Sequence, residues 1–204
     1  DANALLTCFG AEKTRMTGRY EASLQVEGKG EAAQLPRALQ GPLAFRASNG
    51  TMGKASVITK ILGVVNMTDV FGGKSGVRLG DALPFDEFTV EGQVENGQVS
   101  IREAALKSPS FTMAASGSVG YLDKSVDLMV LARPFSTLDK IIQKIPVLRY
   151  ILGGKFLSVG AKVTGNLDDP KIRLAPARDV GQGLVNILAR TVKLPVHVFD
   201  PSSP

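Results

Sequence analysis

The chain has 204 residues, a net charge of +5, one cysteine and one histidine. A single cysteine excludes an internal disulfide and a cysteine metal site, and the scattered cations lack the basic stripe and stacking aromatics of a nucleic-acid surface. Glycine is frequent, tryptophan is absent and aromatics make up 6%, a mix that favours strands and tight turns over a helical bundle. No apolar run reaches the ~20 residues that cross a bilayer. Because the sequence opens on 1–6 without an initiator Met or signal peptide, we expect a piece of a longer protein.

Alternating apolar and polar residues predict strands in the first half of the chain. Residues 19–30 alternate, and a shorter strand at 43–47 leads to Asn49-Gly50, which predicts a hairpin turn because both residues tolerate positive φ. The pattern returns over 85–95. A second Asn-Gly pair at 96–97 and the apolar residues that follow it predict a β-hairpin there.

The second half of the chain continues the pattern. Strands are predicted over 111–119 and 126–132, with a turn at 122–124 between them. Met129 and Leu131 make both faces of the 126–132 strand apolar, which indicates that a helix, a neighbouring sheet or a ligand covers each side. Another strand covers 156–165.

Apolar residues spaced three and four apart predict three amphipathic helices, at Val57–Val65, Leu138–Leu152 and Val180–Val192, the last with Asp179 as its N-cap. Residues 35–39 suffice for one helical turn only. About eight strands joined mostly by short turns indicate a mostly β, antiparallel fold with about three short helices that cap or flank the sheet. A sandwich or a closed barrel would show the same periodicity. We expect one domain over 1–199 and a disordered tail at 200–204.

A series of short motifs between roughly Leu35 and Phe199 carries a family resemblance. The motifs are Asn49-Gly50-Thr51-Met52, the helix Ile58–Val65, Pro84-Phe85-Asp86, Ser108-Pro109, Ile145-Pro146, Gly153-Gly154-Lys155-Phe156-Leu157, Val163-Thr164-Gly165, Asp168-Asp169-Pro170-Lys171 and Lys193-Leu194-Pro195. In order and spacing they resemble the C-terminal region of AsmA-like bacterial envelope proteins. The resemblance implies a long, strongly curved antiparallel sheet that forms an open hydrophobic groove capped by helices.

The sequence offers few routes to catalysis. Cys8 and His197 lie near opposite ends of the chain and have no positioned third group. The Phe71–Ser75 stretch has the wrong spacing for a phosphate loop, and a strand rather than a helix follows Gly153-Gly154-Lys155. Asp168-Asp169-Pro170 is typical of a turn rather than a cation site, since further ligands are missing. We therefore expect no enzyme, no catalytic or metal residues and no cofactor.

The resemblance implies a lipid-handling segment of a protein anchored in the inner membrane of a Gram-negative bacterium. Such a protein would extend through the periplasm and conduct phospholipid acyl chains along its groove towards the outer membrane. Membrane attachment would then lie in parts of the parent chain outside this sequence. The side chains that we expect to line the groove are Phe88, Val90, Phe111, Met113, Leu128, Val130, Leu157 and Val159.

The alternative interpretation is a structural or assembly module of the envelope. Its sheet would be packed shut, and its last helix would dock an outer-membrane or periplasmic protein. The residues of that helix expected to face a membrane or a partner are Leu184, Ile187, Leu188, Arg190 and Lys193. Phospholipids are the expected partners of the first interpretation, and nucleic acid is expected in neither.

Overall fold

The computed structural model describes residues 17–53, 82–109, 111–134, 158–175 and 179–193. These residues form one eight-stranded sheet and two helices. The strands are β1 (Arg19–Leu24), β2 (Gly41–Gly53), β3 (Ala82–Glu95), β4 (Gln98–Lys107), β5 (Phe111–Gly120), β6 (Ser125–Pro134), β7 (Val159–Asn166) and β8 (Pro170–Ala175). The helices are α1 (Leu35–Ala38) and α2 (Gln182–Lys193). The predicted helices at 57–65 and 138–152 lie outside the described residues.

The sheet is an open antiparallel meander. Each strand hydrogen-bonds to the strands before and after it in sequence, in the order β1 to β8. This order leaves β1 and β8 at the two edges. The prediction of a mostly β, antiparallel fold is confirmed, and so is the single helical turn before β2, which is α1.

The predicted turns at 96–97 and 122–124 are confirmed. Asn96 and Gly97 both have positive φ, 49° and 79°, and join β3 to β4 as a two-residue hairpin. Lys124, with φ of 55°, ends the turn between β5 and β6. These positive values are the conformations that Asn and Gly accept most readily.

The predicted hairpin at Asn49-Gly50 is wrong. Asn49 does adopt a positive φ of 51°, but β2 continues through it to Gly53. Ser48 and Gly50 on either side remain paired with Glu87 and Phe85 of β3. The left-handed residue therefore makes a local irregularity within a long strand and does not reverse the chain.

Other elements also differ from the prediction. The strand predicted over 19–30 ends at Leu24, after which the chain keeps one isolated bridge between Glu27 and Gln40. The edge strand β8 was not predicted, because only Ile172 and Leu174 alternate there, too few to mark a strand. Helix α2 begins at Gln182, three residues after Asp179, so Asp179 is not its N-cap.

The sheet separates two buried clusters. The larger cluster includes Ala47, Leu106, Met113, Val130 and Val163 from one face. The smaller cluster lies on the other face, where α2 places Leu184, Ile187 and Leu188 on Ala105, Ala114 and Leu131. Because β6 contributes Val130 to one cluster and Leu131 to the other, the prediction that both its sides are covered is confirmed.

Candidate functional site

The first candidate site is the face of the sheet opposite α2, called here the apolar face and defined by three rows of cross-strand neighbours. The first row is Tyr20, Ala47, Phe88, Leu106, Met113, Ala132 and Val159. The second row is Ala22, Phe45, Val90, Ala104, Ala115, Val130, Ala161 and Leu174. The third row is Leu24, Leu43, Gly92, Ile101, Gly117, Leu128, Val163 and Ile172. Apart from the Tyr20 hydroxyl, no member carries a polar side-chain group.

The rows arise from the period-two pattern of the sequence. In a strand, alternate side chains point to the same face, and register then places those of neighbouring strands side by side. The register shifts by one residue between Glu91 and Gly92 on β3, opposite Arg102 on β4. This irregularity lets Ala104 and Ile101, three residues apart, share one face.

Exposure changes along the rows. Ala47 on β2, and Ala161 and Val163 on β7, are fully buried, at 0% exposure. At the two edges, Leu24 is 42% exposed on β1 and Leu174 is 59% exposed on β8. Solvent, or an apolar ligand, therefore reaches this face at its two edge strands, while these three positions on the adjacent strands are shielded.

The structure brings the predicted groove-lining residues together on this face. Phe88, Val90, Met113, Leu128, Val130 and Val159 belong to its rows. Phe111, two residues before Met113 on β5, is 2% exposed and belongs to the same buried cluster. Leu157 lies outside the described residues.

Tyr20 is a residue of the apolar face that sequence reasoning did not single out. Its ring packs beside Phe45, with 6.4 Å between ring centroids, and Phe45 meets Phe88 edge-to-face at 5.8 Å. The Tyr20 hydroxyl oxygen is buried and has no hydrogen-bond partner among the described residues. Burial raises the pKa of this phenol above its ordinary value. The alternation around Tyr20 was visible in the sequence, but the fate of its hydroxyl was not.

Helix α2 turns its apolar stripe towards its own sheet, which corrects the expectation that Leu184, Ile187 and Leu188 face a membrane or a partner. These side chains are 4–6% exposed and pack on Ala105, Ala114 and Leu131. The alanines at two of these three sheet positions let the helix approach closely, and burial makes this the favoured fate of such a stripe. The side chain of Lys193 lies outside the described residues.

The second candidate site is a charged cleft of about 410 Å³ between the C-terminal half of α2 and strands β2 to β4. Two ion pairs occupy much of it: Arg190 Nη2 lies 2.7 Å from Glu103 Oε2, and Arg46 Nε lies 3.6 Å from Glu87 Oε1. The other lining residues are Thr89, Glu91, Ala105 and Thr191. The pair made by Arg190, from the predicted set, links α2 to β4, and the Arg46–Glu87 pair links β2 to β3.

The acidic turn at 168–169 is confirmed as a turn. Asn166 accepts from the backbone N–H of Asp168 through its side chain at 2.9 Å and from that of Asp169 through its carbonyl at 3.1 Å. Lys124 Nζ lies 2.9 Å from Asp168 Oδ2. No group of three or more His, Cys, Asp or Glu in the described ranges is placed to hold a metal ion. Cys8, His197, 71–75 and 153–155 lie outside those ranges.

Within the same ranges, neither helix has the length and apolar character needed to cross a bilayer. Comparison with known protein families, with characterised proteins and with solved structures gives no match for this chain. The apolar face therefore has to be interpreted from its own chemistry.

Proposed function

We propose that this chain is a lipid-handling segment that takes phospholipid acyl chains onto its apolar face. The observation that carries the proposal is the unbroken apolar character of the second and third rows, which cross all eight strands. An acyl chain moved from water to such a surface gains about 0.8 kcal/mol for each buried methylene. Binding of this kind requires no covalent step, so the proposal assigns no catalytic residue.

The dimensions of the sheet suit this ligand. Neighbouring strands lie ~4.8 Å apart, so a row that crosses seven gaps is ~34 Å long. One leaflet of a bilayer has a hydrocarbon depth of ~15 Å, half of its ~30 Å core. A single row is therefore long enough to accommodate a whole acyl chain, with its headgroup left in water beyond an edge strand.

The cellular setting is part of the same proposal. The motifs that resemble AsmA-like proteins support a parent protein that is anchored in the inner membrane of a Gram-negative bacterium and extends through the periplasm. In that setting the sheet curves so that the apolar face lines an open groove, and acyl chains pass along the groove towards the outer membrane. Headgroups stay hydrated on the open side.

A second candidate is a structural or assembly module of the envelope with a closed core. The observation that favours it is the complete burial of Ala47 on β2 and of Ala161 and Val163 on β7, all within the apolar face. In this case the face is filled by the protein itself, and the exposed side of α2 docks a partner protein. The two candidates differ in whether a lipid can displace what shields these buried positions of the apolar face.

Two measurements separate them. Mass spectrometry of gently purified protein should detect co-purified phospholipid. A photo-crosslinking amino acid at Leu128, on the apolar face, should label a phospholipid supplied in phosphatidylglycerol–phosphatidylethanolamine vesicles, whereas the same group at neighbouring Asp127 should not, because Asp127 points to the α2 side and pairs with Lys162. A lipid-free protein that labels at neither position would refute lipid handling and favour the closed module.

A further inference from the structure

Tyr20 stands at the rim of the apolar face. It lies on β1, an edge strand of the sheet, and begins the first row, next to Ala47. Its ring packs against the large buried cluster. A ligand that enters the face from the β1 edge and follows the first row therefore meets this side chain before it reaches Ala47 and Phe88.

The hydroxyl group of Tyr20 is a donor without an acceptor in the described part of the chain. Its oxygen is buried, and none of the described residues supplies an acceptor for it. A buried polar group without a partner carries a desolvation penalty that a suitable acceptor removes. Because burial raises the pKa of the phenol, the group keeps its proton at neutral pH and can donate it in a hydrogen bond.

A second tyrosine shows the contrast. The Tyr121 hydroxyl donates to the backbone carbonyl of Pro36, so its donor is already satisfied within the protein. The side chains of Tyr20 and Tyr121 are both partly buried. The hydroxyl of Tyr20, by contrast, is buried and has no partner among the described residues.

Resting on the proposed function, we infer that Tyr20 determines which lipids the apolar face accepts, by donating a hydrogen bond to the carbonyl oxygen of an acyl ester at the β1 rim. The hydrocarbon tail then lies along the first row, and the glycerol and headgroup remain outside the edge strand. The substrate class is accordingly ester-linked lipid, since an ether-linked analogue with the same tails lacks the carbonyl acceptor.

The test uses two short-chain phosphatidylcholines with tails of equal length, one ester-linked and one ether-linked, titrated into the wild-type chain and into Tyr20→Phe. Phenylalanine keeps the ring and removes only the hydroxyl. We expect the variant to bind the ester lipid about fivefold more weakly, the change typical of one neutral hydrogen bond, and the ether lipid with unchanged affinity. Tyr121→Phe, the matched control, should bind both lipids as the wild type does.

The outcomes distinguish this inference from the proposed function. If wild type and Tyr20→Phe bind the ester lipid equally, or if the variant loses affinity for both lipids equally, the hydrogen bond is refuted while lipid binding stands. If the wild type binds neither lipid, the proposed function fails and the inference with it.

A second readout needs no variant. In the wild-type chain with ¹³Cζ-labelled tyrosine, the Tyr20 resonance should shift on addition of the ester lipid more than on addition of the ether lipid. Equal shifts would contradict the inference.

Discussion

Val130 and Leu131 are consecutive residues of β6, yet they are buried in different places: Val130 is 1% exposed in the cluster of the apolar face, and Leu131 is 4% exposed beneath α2. One strand thus holds two layers together. Truncating either side chain leaves a cavity, but the cavities lie on opposite sides of the sheet.

We expect Val130→Ala to lower the free energy of unfolding by about 2 kcal/mol and Leu131→Ala by about 3 kcal/mol, measured by urea denaturation. Only Leu131→Ala should also weaken amide-exchange protection over 184–191, because it removes a contact of α2. Equal protection of the helix in the two variants would contradict the separation into two layers.

Thr112 gives a second prediction, a stabilising one. Its side chain is 0% exposed, and its hydroxyl has no hydrogen-bond partner among the described residues. Valine has nearly the same shape and favours strands. Thr112→Val should therefore raise the free energy of unfolding by about 1 kcal/mol, since the desolvation penalty of the hydroxyl disappears.

The matched control for Thr112 is Thr191, which is 7% exposed and donates from its hydroxyl to the Ile187 carbonyl at 2.9 Å. Thr191→Val removes a formed hydrogen bond and should stabilise less than Thr112→Val, or destabilise. Thermal unfolding of the two variants side by side measures the difference. If Thr191→Val gained more stability than Thr112→Val, the hydrogen bonding of the hydroxyl would not explain the effect of the substitution.

The pKa of Tyr20 predicts a pH dependence. Desolvation raises this pKa from 10.0, so the folded protein binds the phenolic proton more tightly than the unfolded chain does. The contribution of Tyr20 to stability is complete below pH 10 and is lost as the pH rises through the folded-state pKa. The ultraviolet difference titration between wild type and Tyr20→Phe should give a component with a midpoint above 10, and a midpoint at or below 10 would contradict the burial of the group.

Gly117 predicts a strong backbone effect. Its φ is 137°, and a Cβ at this position would collide with the carbonyl oxygen of Asp127 on β6. Gly117→Ala should therefore cost several kcal/mol, about 3 or more, through strain and displaced strand pairing.

Gly183 in α2 is the control glycine, because no atom lies within 4 Å of an added Cβ. Gly183→Ala should stabilise the protein by about 0.5 kcal/mol through helix propensity and the entropy of the unfolded chain. Chemical denaturation of both variants measures the two changes in the free energy of unfolding. Similar changes for Gly117→Ala and Gly183→Ala would contradict the prediction.

The sequence predicted the elements whose causes are local. Alternation between Phe85 and Ala132 located four strands, and the Asn96-Gly97 pair located their first hairpin, because strand period and turn chemistry depend on nearby residues alone. Asn49-Gly50 shows where this reasoning fails. Its positive φ was a local property, but whether the chain reverses there depends on β3, whose pairing holds β2 straight.

The same distinction between local causes and causes that depend on the whole fold applies to the candidate site. Alternate side chains of a strand share one face of the sheet, so Phe88, Val90 and Met113 could be grouped from the sequence. Burial is a property of the whole fold, however, and the direction in which α2 turns Leu184 and Ile187 depends on the small residues of β4 and β5 that it covers. The unsatisfied hydroxyl of Tyr20 is likewise set by what surrounds it rather than by its own position in the chain.

The strand order β1 to β8 has a consequence for how this protein is made. Because each strand from β2 to β8 pairs with the strand that precedes it in sequence, the sheet can lengthen strand by strand as the chain leaves the ribosome. Helix α2 follows the last strand, so it can settle over β4 to β6 only after all of them have been translated. Until then Ala105, Ala114 and Leu131, the sheet positions that this helix covers, lack that cover.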